Sequence, residues 1–205
     1  MDNLLRKTIL CGIILVLVYL VFFIFFDKTI DQWVFNNYSD TWLNHLGEYI
    51  SYLATGSFIK FGITCAFIVI LICDSGLEKQ WTRLLLYICL SVSLAIIIGE
   101  GFKYLLGRHR PVMLFDKNLY GLHFFSSNWE LNSTPSGHTI RAFSLFTALS
   151  LLFQRFAFIF ISIAVIIGIS RVIVTAHFPS DVLFGAFIGT FTAIWTYKYY
   201  FKTQI

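Results

Sequence analysis

The sequence predicts an all-α protein, a six-transmembrane-helix bundle that forms a single domain over residues 1–205. Three observations predict it. Of the 205 residues, 58% are hydrophobic and 13% charged, whereas a soluble domain carries about 25% charged residues. Six apolar segments approach the roughly 20 residues that cross a bilayer: Ile9–Phe26, Phe58–Cys73, Leu84–Leu106, His138–Phe153, Phe156–Thr175 and Val182–Tyr197. Basic residues also recur in alternate connections between them.

The first segment follows Arg6 and Lys7 and runs for 18 apolar residues. That is longer than the core of a secretion signal, and no small-residue cleavage site follows, so it reads as a retained anchor. The second and fourth segments are short and are expected to extend into interfacial residues. With six spans in 205 residues, the connections are mostly tight. Cys11, Cys65, Cys73 and Cys89 all fall inside these segments. They are expected as small buried hydrophobes, not as a disulfide or zinc framework.

Arg6, Lys7, Lys79, Arg83, Arg155, Lys198 and Lys202 share one side of a six-span layout. The positive-inside tendency makes that side cytoplasmic and places both termini there. The opposite side receives Lys28, Lys103, Arg108, Arg110, Lys117 and Arg171. Four of these six sit in GFKYLLGRHRP (101–111) and SRVIVTAHFPSD (170–181). Positive charge on the unfavoured side, confined to two places, points to function.

Helix rise brings these places together. Arg83 to Lys103 spans about 30 Å and Arg155 to Arg171 roughly 24 Å in the same direction. The segments opening at His138 and near Asp181 run back the other way. The polar clusters at 103–111, 133–139 and 171–181 therefore meet at one depth, on the non-cytoplasmic face.

Each cluster has its own chemistry. Lys103 and Arg110 are about two helical turns apart and face one pocket if the helix persists, although Pro111 marks a helix end. STPSGHT (133–139) reads as a helix start, whose free N–H groups and dipole favour an anion. Ser136 and Gly137 allow close approach there, with His138 at the mouth. Pro179 fits the first turn of the last helix. The four-residue step from His177 to Asp181 lets the carboxylate reach the imidazole and fix its tautomer.

Two histidines, an orienting aspartate and at least three cations suit a tetrahedral oxyanion, above all phosphate. A metal phosphatase needs more carboxylates than this pocket offers. The pattern therefore predicts metal-independent phosphoryl transfer through a histidine nucleophile, with a second histidine as acid and base. No cofactor is expected.

KYLLGRHRP (103–111), PSGH (135–138) and SRVIVTAHFPSD (170–181) resemble the three signature motifs of the type 2 phosphatidic acid phosphatase family, K-x6-RP, PSGH and SR-x5-H-x3-D. Order and spacing are intact. The resemblance implies that His177 is the nucleophile forming a phosphohistidine, that Asp181 orients it, and that His138 is the acid/base for the leaving group. It also implies that Lys103, Arg110, Ser136, Gly137 and Arg171 hold the phosphate.

The implied protein is an integral-membrane lipid phosphatase. Its expected home is a bacterial inner membrane, with the site facing the periplasm. The partners are the bilayer and a phosphorylated lipid, not nucleic acid. Undecaprenyl pyrophosphate, phosphatidylglycerophosphate, phosphatidic acid and lipid A phosphates all stay open as substrates. A lipid phosphotransferase using the same intermediate is the alternative, and a non-enzymatic lipid transporter is a weaker one.

Three further residues have open roles. Glu100 pairs with Lys103 or neutralises excess charge. Arg108 is expected to be a solvated loop arginine in preference to an extra phosphate contact. Arg141 either faces the pocket or snorkels. The aromatic segment 112–134 reads as a long loop that anchors at the interface or walls the site.

Overall fold

The computed structural model describes residues 3–52 and 54–201. Lys202, counted above with the cytoplasmic basic residues, lies outside them. The fold is all-helical, and the described residues hold no strand beyond an isolated bridge between Arg108 and Leu122.

The helices are α1 (Asn3–Val21), α2 (Asp27–Tyr38), α3 (Trp42–Tyr52), α4 (Gly56–Asp74), α5 (Gln80–Leu106), α6 (Pro111–Lys117), α7 (Gly137–Leu152), α8 (Ala157–Ile173) and α9 (Pro179–Thr196). Four helical stretches are long and apolar enough to cross a membrane: Asn3–Tyr38, Trp42–Asp74, Gln80–Leu106 and Gln154–Ile173. Helices α7 and α9 fall outside that group. The chain is an integral membrane protein, and side chains such as Ile24, Phe61, Ile72 and Phe158 stand exposed on its apolar exterior. Of the four free cysteines only Cys89 is buried; Cys11 and Cys73 are exposed, contrary to the expectation of small buried residues. In a lipid-facing helix an outward thiol carries no penalty, so composition alone does not fix which way it points.

The first expected segment does not stop at Phe26. A π-helical turn, Phe22–Phe26, joins α1 directly to α2. Thirty-six helical residues rise about 54 Å, well beyond a hydrocarbon core of about 30 Å. Its far end, from Asp27 onward, is therefore positioned to reach the interface.

Helix α7 is the centre of the bundle. Lipid offers no hydrophobic drive between helices, so close approach through small residues holds them together. Gly185 and Gly189 of α9 lie against α7, Gly168 of α8 lies against Thr139 and Phe143, and Gly99 of α5 lies against Ile140. A Cβ at Gly189 would sit 2.6 Å from the Ile140 carbonyl oxygen and 2.8 Å from the Ser144 nitrogen. Both are backbone atoms and cannot step aside. Gly189→Ala is expected to destabilise the protein by roughly 1–3 kcal/mol, read as a lowered unfolding midpoint in detergent. Gly62→Ala, where a Cβ meets nothing within 4 Å, is the control and should leave the midpoint unmoved or slightly raised.

Candidate active site

Four helix ends converge on one place: the end of α5, the start of α7, the end of α8 and the start of α9. A tight reversal closes α8. Val174 N–H donates to Ser170 O at 3.0 Å and Thr175 N–H to Val172 O at 2.9 Å, with Thr175 at φ 46°. Ala176 and His177 N–H both donate to the Arg171 carbonyl, at 3.1 and 3.3 Å. Arg171 and His177 are thus fixed relative to one another through backbone. Pro179 then opens α9, as expected, and Asp181 accepts the Phe178 N–H at 3.0 Å, capping the first turn.

The His177 imidazole is almost fully buried. Its Nδ1 lies 2.8 Å from the Ser133 carbonyl oxygen. A carbonyl only accepts, so Nδ1 carries the proton and Nε2 keeps its lone pair. This corrects the expected direct bond from Asp181, whose Oδ2 is 3.9 Å from Nδ1. The carboxylate is already occupied. Oδ2 accepts Ser133 Oγ–H at 2.6 Å and the Phe178 N–H, while Oδ1 takes the Arg108 guanidinium. Asp181 reaches His177 through Ser133, which it holds by the hydroxyl while the same residue's carbonyl holds the ring.

Burial, aided by the charges of Arg110 and Arg171, holds the His177 imidazolium well below its ordinary titration range, against the opposing pull of Asp181. A free histidine is half protonated near pH 6.5. Lowering that value keeps the ring neutral, and so nucleophilic, at lower pH. Corrected for substrate ionisation, kcat/KM is expected to fall by less than about twofold between pH 7 and 5.5, where an unshifted imidazole gives about a tenfold fall.

Cations surround the start of α7. Lys103 pairs with Glu100 at 2.7 Å, which resolves the open role of Glu100. A Cβ at Gly137 would meet Lys103 Nζ at 3.1 Å and Arg141 Nη1 at 3.2 Å. The missing side chain is what lets both cations approach this helix start. Arg141 is therefore turned to the site, its Nε tethered to Ala54 O at 2.7 Å. Arg110 is held by the Trp129 and Asn132 carbonyls and stacks over the Trp129 ring at 4.5 Å. Arg171 has a buried Nε without a partner among the described residues. His138 lies within the fields of Arg171, Arg141, His177 and Lys103.

Ser136 is fully buried. Its Oγ accepts Thr139 Oγ1–H at 3.0 Å and its N–H donates to Asp181 O at 3.0 Å, so it joins α7 to α9 while its own hydroxyl proton has no acceptor among the described residues. It makes no side-chain cap on α7, which leaves first-turn N–H groups for an incoming acceptor.

Arg108 departs most from expectation. Far from being solvated, it is 0% exposed and lies between Asp27, at 2.7 Å, and Asp181. The reason is local. Gly107, at φ 53°, ends α5 and donates to Lys103 O at 2.9 Å, so the helix stops well before Pro111. Pro111 instead opens α6 as its first residue. This left-handed turn sends Arg108 inward. A Cβ at Gly107 would overlap the His123 carbonyl, so only glycine makes the turn. Segment 112–134 is consequently not plain loop: it contains α6 and a 3-10 turn, Trp129–Leu131.

An apolar groove of about 600 Å³ runs between α5 and α9, and a second of about 480 Å³ borders α1. Both include Phe102, Phe184 and Phe187, and Phe102 adjoins Lys103 in sequence.

Known proteins resemble this chain in sequence and fold. Lipid A 1-phosphatase of Rhizobium johnstonii is 36% identical over 112 residues, covering 53% of this chain and 46% of that protein. The chain thus matches about half the length of this curated relative. Among solved structures, Aquifex aeolicus LpxE superposes with a TM-score of 0.61 at 24% identity, covering 84% of this chain and 95% of that one. A PAP2-type phosphatidylglycerolphosphate phosphatase from Bacillus subtilis gives 0.61 at 20% identity, covering 97% of both. These two likenesses concern the fold. The PAP2 superfamily profile matches residues 84–205, which hold all three motifs, and the chain belongs to that superfamily.

Proposed function

We propose that the protein is a lipid phosphatase that works through a phosphohistidine and needs no metal. The observation that carries this reading is the His177 ring, whose Nδ1–H is bonded to a carbonyl while its Nε2 is left as a nucleophile within the field of Arg110 and Arg171. Lys103, Arg110, Arg141 and Arg171 with the first turn of α7 hold the phosphate oxygens. Nε2 attacks phosphorus, the bond to the lipid oxygen breaks, and His138 protonates that leaving oxygen. His138 then takes a proton from water, which displaces phosphate from His177.

The lipid part is proposed to lie along the apolar groove that begins at Phe102. The name of the Rhizobium relative favours a lipid A phosphate among the candidate substrates. Six spans in a single domain, termini in the cytoplasm and a site at the periplasmic face of an inner membrane complete the proposal.

The test is phosphate release by the detergent-solubilised full chain in EDTA. The panel is lipid A 1-phosphate, phosphatidylglycerophosphate, phosphatidic acid and undecaprenyl pyrophosphate. Release from at least one lipid without added acceptor is expected. Turnover only with a second lipid as acceptor indicates a phosphotransferase, and a strict Mg²⁺ requirement overturns the metal-free mechanism.

A further inference from the structure

We infer that Asp27 and Arg108 form a positioning unit for the reacting histidine, through which the N-terminal helix completes a site whose motifs all lie in the C-terminal half. This rests on the reading of His177 as nucleophile. Neither residue belongs to the phosphate clamp: Arg108 is enclosed between carboxylates, and Asp27 lies outside the residues 84–205 that define the family.

Both terminal nitrogens of the guanidinium are bonded into one network, while Arg108 Nε has no partner among the described residues. Arg108 Nη2 donates to Asp27 Oδ2 and, at 2.9 Å, to Tyr120 OH, which passes its own proton to Phe23 O at 2.6 Å. Arg108 Nη1 donates to Asp181 Oδ1 and to Ser180 Oγ, and Ser180 Oγ–H donates onward to Asp27. Ser180 N–H also donates to Asp27 Oδ1 at 3.1 Å. The guanidinium lies 4.3 Å from the Phe178 ring and 4.8 Å from that of Phe23.

One arginine thus joins α2, the turn after α5 and the start of α9, with His177 and Asp181 on either side of Phe178. A planar fork meeting two carboxylates is what arginine does and lysine does not. The chain of command runs from Asp27 through Arg108, Asp181 and Ser133 to the Nδ1 of His177.

The charges also balance. Two carboxylates and one guanidinium leave one net negative charge beside the imidazole. The other charged groups acting on His177 are Arg171 from α8 and Arg110 from the turn after α5, with His138 of α7 beside it; Arg141 acts on His138 and Arg171. From α2, Asp31 is buried one turn beyond Asp27, with both oxygens unpartnered among the described residues. Removing Arg108 alone makes the surroundings of His177 more negative and favours its protonation. Removing the Asp27 charge as well restores the original balance.

The experiment compares Arg108→Met, Asp27→Asn, their double variant and Arg108→Lys with wild type, following kcat/KM from about pH 2.5 to 8, a range that spans the lowered His177 titration, and the inhibition constant of inorganic phosphate. Arg108→Met is expected to lower kcat about 10²-fold or more and to raise the acid limb by about one pH unit. The phosphate inhibition constant should stay within about threefold, because the clamp is untouched. In the double variant the acid limb returns toward wild type. Arg108→Lys keeps the limb in place but loses kcat, because it cannot bridge both carboxylates. If Arg108→Met does not fold, Asp27→Asn and Arg108→Lys carry the test: each must lower kcat without weakening phosphate inhibition.

The inference is overturned if phosphate affinity falls in step with kcat, which would make Arg108 part of the clamp. It is equally overturned if the limb stays fixed in Arg108→Met, or if Asp27→Asn keeps full kcat. A wild type that releases no phosphate refutes the functional reading instead.

Discussion

His177→Ala is expected to lower kcat for phosphate release by about 10⁴- to 10⁶-fold while the protein still binds inorganic phosphate. Removing the attacking group of a covalent mechanism leaves only the clamp and the helix start to act on the ester, and such remnants retain a small share of the acceleration. Lys103, Arg141 and Arg171 are held by contacts that do not involve the imidazole: Glu100, Ala54 and the α8 backbone. Binding and chemistry should therefore separate, with inhibition by phosphate nearly unchanged. His138→Ala is expected to lose less, about 10²- to 10⁴-fold, as befits proton transfer alone. A substrate with a good leaving group should recover part of that loss, and should recover nothing in His177→Ala. Equal losses in both variants, rescued alike, would mean that His177 does not carry the phosphoryl group.

Much of this site is legible in the sequence because its geometry is set by helix rise and by short local spacings. Pro179 and Asp181 sit in one helical turn, Arg171 ends the preceding helix, and Gly137 opens another, so convergence follows from span lengths. What is not legible depends on a single backbone inversion and on contacts remote in sequence. Gly107 turns the chain inward, and a charged residue in a loop then becomes one of the most buried side chains in the protein. Gly107, directly before Arg108, was the available signal, since a glycine just after a periodic run commonly caps it.

Asp27 gave a fainter one, an acid directly after an uninterrupted apolar segment, but its partner lies 81 residues away. The role of Ser133 was hidden for another reason: it holds the His177 ring through its carbonyl, which every residue type possesses, and only its grip on Asp181 uses the hydroxyl. Helix α2 was missed because its polar residues end the hydropathy signal while the helix itself continues. The shortness of α7 reflects its surroundings, since it is covered by other helices and need not match the hydrocarbon thickness.

Asp181→Ala should be the most destabilising single substitution at the site, lowering the unfolding free energy by about 3–5 kcal/mol. The carboxylate accepts from Arg108, Ser133 Oγ and Phe178 N–H in a fully buried position. Deleting it leaves a buried guanidinium with one anionic partner in place of two, removes the cap from the first turn of α9, and frees Ser133. Asp181→Asn keeps the volume and an acceptor oxygen, so it should lose less stability yet still lose activity, because the charge that favours the developing imidazolium is gone. Ser133→Ala separates the routes. It removes the hydroxyl that Asp181 grips but keeps the carbonyl that holds Nδ1, and is expected to cost about 1 kcal/mol of stability and roughly tenfold in kcat. If the carboxylate instead acted on the ring directly, Ser133→Ala would be silent in kcat. The 2.8 Å contact to the carbonyl against 3.9 Å to the carboxylate is the reason to expect otherwise.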